Sequence, residues 1–83
     1  MFSVRQMKAA RALLAWSQGD LAEASGVSEP TIARLESEDG EQVGGRAETS
    51  GKLKAALEKA GVEFIPENGG GAGVRLAKRS RKK

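Results

Sequence analysis

One stretch constrains the fold more than any other: Ser17-Gln18-x-x-Leu21-Ala22-x-x-x-Gly26-Val27-Ser28-x-x-Thr31-Ile32-x-x-Leu35-Glu36. Beyond Gly26 the apolar residues Ile32 and Leu35 recur three apart, which places them on one face of a helix. Ser17 and Ser28 stand where a side-chain oxygen caps a helix start, with Asp20 three residues beyond Ser17. Gly26 accepts the left-handed backbone that ends a helix. Pro30, just inside the second segment, loses nothing there by lacking an N–H. Two short helices, about Gln18–Ala24 and Ser28 to Glu36 or Ser37, therefore meet across a tight turn. Gly19 weakens the first slightly. Ala22 is small where the two cross, Leu21 anchors the first from beneath, and Ile32 and Leu35 anchor the second.

The remainder organises around that pair. Ser3 and Gln6 have capping-box spacing, which predicts a helix running to about Ala15 with Met7, Ala10 and Leu14 on its apolar face. The stretch Ser37–Gly45 is acidic and contains glycine, hence a loop. A further helix is expected over about Ala47 to Ala60, with Leu53, Leu57 and Ala60 inward and Gly61 as its stop. Beyond Gly61 the period changes to two: Val62 and Phe64 face one way, Glu63 and Ile65 the other. Pro66 to Gly73 is turn-forming, and Val74-Arg75-Leu76 alternates again. This reads as a β-hairpin with Val62, Phe64, Val74 and Leu76 on one face. The expected fold class is mainly α: residues 1–61 form a four-helix unit, 62–77 a C-terminal β-hairpin, and 78–83 a basic disordered tail.

Composition excludes most catalytic chemistry. The 83 residues contain no cysteine and no histidine. Thiolate nucleophiles and thiolate zinc sites are thereby removed, together with the commonest general base and metal ligand. Gly69 to Gly71 lack the Gly-Lys-Ser/Thr ending of a phosphate cradle, so they read as a turn. No enzyme and no cofactor are expected. Arg5 and Lys8 interrupt any signal-peptide core, and no apolar run has membrane-spanning length, so a cytoplasmic, nucleoid-associated protein is expected. Net charge is +3, but six of the fourteen basic residues fall in Arg75–Lys83, where there is no acid. Eight basic residues then face eleven acidic ones in the rest of the chain, so the body is no general polyanion binder. The tail is either a solubilising end or an electrostatic contact to nucleic acid.

Two short helices across a glycine turn are a helix-turn-helix, whose second helix stands proud enough to enter a major groove about 12 Å wide. Residues 3–60 resemble the Cro and phage-repressor type, the xenobiotic-response-element-like family, with a lambda-repressor-like fold. The resemblance implies a DNA-binding transcriptional regulator. It places Gln18 on the DNA backbone and Ser28, Glu29, Pro30 and Thr31 at the base edges, with Arg34 facing the groove one turn on. It also pairs Arg11 of the first helix with Glu36. That pair reads as a half-buried brace rather than a DNA contact. Residues 61–76 resemble the closing segment of small bacterial regulators of the same family.

The side-chain chemistry agrees. Arg34 suits guanine O6 and N7. Glu29 either accepts from cytosine N4 or simply favours a helix N-terminus. Thr31 offers a methyl to thymine or a hydroxyl to phosphate. Ser28 is first a cap, and Pro30 can touch a thymine methyl. Arg46 and Thr49 open the fourth helix, as a phosphate contact or as a solvated arginine and a plain cap. Two features depart from the pattern. Glu36, Glu38, Asp39 and Glu41 crowd the end of the second motif helix, where phosphate would be repelled. Ser50 and Gly51 stand where the family has an apolar residue, so that helix is expected to fray. The expected partner is double-stranded DNA, bound by a homodimer acting as a repressor on a palindromic operator. The hairpin is either the dimer element or a lid on the core. The alternatives are an antitoxin or anti-activator working through a protein partner, and an architectural or excision factor of a mobile element.

Overall fold

The computed structural model describes residues 2–37, 47–66 and 69–77. Arg46, Glu38, Asp39, Glu41 and the tail 78–83, each given a part above, lie outside them. Four helices come first: α1 (Val4–Leu14), α2 (Gln18–Ser25), α3 (Glu29–Glu36) and α4 (Ala47–Lys59). An antiparallel pair of strands follows, β1 (Val62–Ile65) and β2 (Gly73–Leu76). This is the mainly helical, hairpin-closed fold expected from the sequence.

The helix boundaries have identifiable causes. Ser3 Oγ accepts from Gln6 N at 3.0 Å while Gln6 Oε1 accepts from Ser3 N at 2.8 Å, a reciprocal capping box. Ser17 and Asp20 repeat the arrangement at 3.0 and 2.9 Å. Gly26 ends α2 with φ of 78°, and its N–H donates to the Ala22 carbonyl. The end of α1 is less legible in the sequence. Ala15 takes φ of 56°, a left-handed conformation unusual for a residue with a Cβ. The Trp16 N–H closes that turn onto the Arg11 carbonyl at 2.9 Å.

The core gathers one side of every element: Val4, Met7 and Ala10 of α1, Leu21 of α2, Ile32 and Leu35 of α3, Leu53 and Leu57 of α4, Val62 of β1, with Phe2 and Val27 from the connections. Leu14, Trp16, Ala22, Phe64 and Val74 pack partly buried against it. α2 packs on α3 and α4, α1 on α3 and β2, and α4 on β1. The α4 helix continues unbroken through Ser50 and Gly51, contrary to the fraying expected there. Ser50 is buried, and its hydroxyl donates to the Ala47 carbonyl at 3.1 Å, so a polar residue takes the apolar position without an orphaned group.

The hairpin register pairs Val62 with Leu76, Glu63 with Arg75, Phe64 with Val74 and Ile65 with Gly73. Val62, Phe64, Val74 and Leu76 therefore share a face, as expected. Leu76 nonetheless remains half exposed, because alternation fixes a face but not how far the core extends beneath it. Two contacts fasten the hairpin. The Phe2 and Phe64 rings meet with centroids 5.0 Å apart, tilted by 49°. Gln6, itself buried, donates through Nε2 to the Ile65 carbonyl at 3.2 Å and the Gly73 carbonyl at 2.9 Å, gripping both strands at once.

Candidate nucleic-acid interface

The α3 helix presents two contrasting sides. Ile32, Leu35 and Glu36 are buried, whereas Glu29, Pro30 and Arg34 are exposed and Thr31 is half-buried. The apolar side anchors the helix while the polar side stays open along its length. Ser28 caps the start: its Oγ accepts from Thr31 N at 3.4 Å and donates to Thr31 Oγ1 at 2.8 Å. Each hydroxyl thereby fixes the other's direction. Arg34 follows Pro30 by four residues, on the same side of the helix, and makes no ion pair among the described residues.

Beneath this surface lies a polar brace. Arg11 of α1 donates to Glu36 of α3 through Nε (2.8 Å) and Nη2 (2.7 Å), a two-pronged pair, and through Nη1 to the Trp16 carbonyl (2.8 Å). Gln18, the first residue of α2, donates from Nε2 to Glu36 Oε1 at 2.9 Å. One carboxylate thus ties three helices together, with its side chain only 4% exposed. Burial pushes the Glu36 carboxyl up, but the hydrogen bonds from Arg11 and Gln18 outweigh it and hold the group below the ordinary carboxylate range. The Arg11 guanidinium is raised, chiefly by its bond to Glu36. The Arg11–Glu36 brace expected from the sequence is thus formed, and Glu36 does not add to the acidic run counted at the end of α3. Its charge is neutralised inside.

The structure places Gln18 on α2, Glu29, Pro30, Thr31 and Arg34 on the adjoining α3, and Ser28 at the cap of α3. Thr49 sits half-buried in the first turn of α4. Glu29 turns its carboxylate towards α2: Oε1 lies 3.4 Å, and Cδ 3.8 Å, from the point a Cβ on Gly19 would occupy. Neither this approach nor the Gln18–Glu36 bond carries a sequence signature, since each joins residues on different elements. Among the described residues no group of carboxylates gathers as metal ligands, and no helix is long and apolar enough to cross a membrane.

Comparison with known proteins agrees with this geometry. Residues 7–41, from within α1 to just past α3, match a helix-turn-helix family model. The match thus takes in the brace, both motif helices and the turn between them. This segment is similar to the Cro and phage-repressor type of helix-turn-helix. The match supports a DNA-binding regulator of that type. No curated protein sequence matches the chain.

Proposed function

We propose that the protein is a repressor that binds a palindromic operator as a homodimer, with α3 of each copy in the major groove. The two-sided character of α3 carries this reading. An apolar side locked into the core and an open side bearing Glu29, Pro30, Thr31 and Arg34 are what a rigid reading helix requires. Arg34 takes guanine by two parallel hydrogen bonds, and Thr31 and Pro30 lie near enough to the helix start to meet a thymine methyl. Ser28 and Gln18 position the helix on the backbone, and Thr49 with Arg46 adds phosphate contacts at the start of α4. One such helix reads too few base pairs to be selective in a genome. Two copies, with reading helices about 34 Å apart, read a palindrome. In this arrangement residues 1–61 form the DNA-binding unit. The hairpin joins the copies, with half-exposed Leu76 as apolar surface for the second chain.

Selection of bound sites from random duplex DNA at near-physiological salt tests the reading. A palindrome with half-sites about one helical turn apart is expected. Failure to enrich any sequence overturns it. Against the selected site, Arg34→Ala should cost about 1–3 kcal/mol and relax the preference at one base pair. An equal loss on all sequences would make Arg34 a phosphate contact instead.

A further inference from the structure

Gly19 poses a question that the motif does not answer. It sits second in α2 with ordinary helical backbone, so no left-handed conformation demands a glycine there. Glycine is also a poor helix former. What the position does have is a neighbour. The Glu29 carboxylate, reaching across from the first turn of α3, occupies the space beside the missing side chain. Oε1 is 3.4 Å and Cδ 3.8 Å from an ideal Cβ, with Ser17 Oγ at 3.6 Å on the other side. A Cβ at 19 would meet the carboxylate at ordinary contact distance, so the two positions are immediate neighbours. The first turn of α2 is the electropositive end of that helix. It is also where Gln18 stands, the residue assigned above to the DNA backbone.

We infer that Glu29 is a built-in discriminator against non-cognate DNA: its carboxylate, lying beside Gly19 at the start of α2, sets a negative charge beside the path of the phosphate backbone. Any duplex meets this charge, whatever its sequence. Phosphate-driven, sequence-independent affinity is therefore suppressed. The charge is tolerated only where the rest of α3 gains base contacts that offset it. Selectivity here comes from an unfavourable interaction placed against the wrong partner, a general route to discrimination. The inference rests on the proposed DNA reading by α2 and α3.

The test compares the full-length protein with Glu29→Gln, which keeps size and removes charge, and with Glu58→Gln, an equal charge change near the far end of α4. Binding to a random-sequence duplex is titrated from 50 to 200 mM salt, alongside the selected operator. Glu29→Gln should bind random duplex more tightly at low salt. Regaining one phosphate contact steepens the salt slope by about 0.9, so affinity should fall about 3.5-fold more over that range than for the parent. The ratio of operator to random affinity should shrink. Glu58→Gln should leave the slope unchanged. The inference is overturned if both variants gain equally, which marks bulk charge. It is also overturned if Glu29→Gln leaves random-duplex binding and slope unaltered, or weakens only the operator, which marks a base acceptor. If the parent and both variants bind no duplex at low salt, the DNA reading itself fails.

Discussion

Replacing Arg11 by alanine probes the brace that sets α3 in place. The substitution removes both guanidinium bonds to Glu36, at 2.8 and 2.7 Å, and the bond to the Trp16 carbonyl. It leaves a carboxylate whose side chain is 4% exposed with Gln18 as its remaining donor among the described residues. Breaking a buried pair from one side costs about 3–5 kcal/mol. Arg11 is 19% exposed, so solvent already screens part of the pair and the low end applies, about 3 kcal/mol. A domain of this size has roughly 4–12 kcal/mol to lose. The loss should appear in urea unfolding followed by circular dichroism, and as a fall in Tm of about 12–24 °C. Trp16, the single tryptophan, reports the same transition by fluorescence. The effect also depends on pH. In the parent, the folded-state pKa of Glu36 is depressed. Its contribution is therefore fully present above the unfolded value, about 4.3, and lost as pH falls through the folded value. In Arg11→Ala, burial acts unopposed by the guanidinium and raises the carboxyl, so protonation then favours the folded form. The stability gap between the two proteins should thus narrow from pH 7 to pH 4. A gap below about 1 kcal/mol at pH 7, or one that stays constant over that range, refutes the brace. The double variant Arg11→Met/Glu36→Leu should regain most of the loss, because no charge is then left buried.

The hairpin offers two further tests. Gln6→Leu removes the donors to the Ile65 and Gly73 carbonyls and the acceptor for Ser3 N. It should cost about 2–3 kcal/mol, with faster amide exchange in β1 and β2; unchanged exchange there would show that the glutamine does not fasten the strands. Phe2→Ala empties a core position 4% exposed and in ring contact with Phe64. A loss of about 3 kcal/mol in urea unfolding is expected, and a loss under 1 kcal/mol would mean that residue 2 is peripheral.

Much of this architecture was legible because it is local. A capping box spans four residues, and Ser3–Gln6 and Ser17–Asp20 both formed as spaced. The left-handed stop at Gly26 needs only a missing Cβ. The inward set Met7, Ala10, Leu21, Ile32, Leu35, Leu53 and Leu57 follows from helical period alone, and Val62, Phe64, Val74 and Leu76 from the period of two. The helix end near Ala15 was expected, but its left-handed conformation was not, because an alanine gives no cue to it. Ser50 was misjudged because its hydroxyl finds a carbonyl within its own helix, which hides its polarity.

The sequence by itself determined the elements, their order, the motif and the side of α3 that turns inward, since each depends on residues within a turn or two of one another. Only the tertiary structure decided what the polar side chains do. Glu36 was expected to brace α3 against Arg11 of α1, and the structure adds Gln18 of α2 as a third member. Gln6 looked like half a cap and also holds the hairpin mouth. Glu29 looked like a residue of α3 alone and lies against Gly19 of α2. In each case the partner comes from another element, so the charge or hydrogen-bonding capacity of the residue acquires its role only when packing brings the two together.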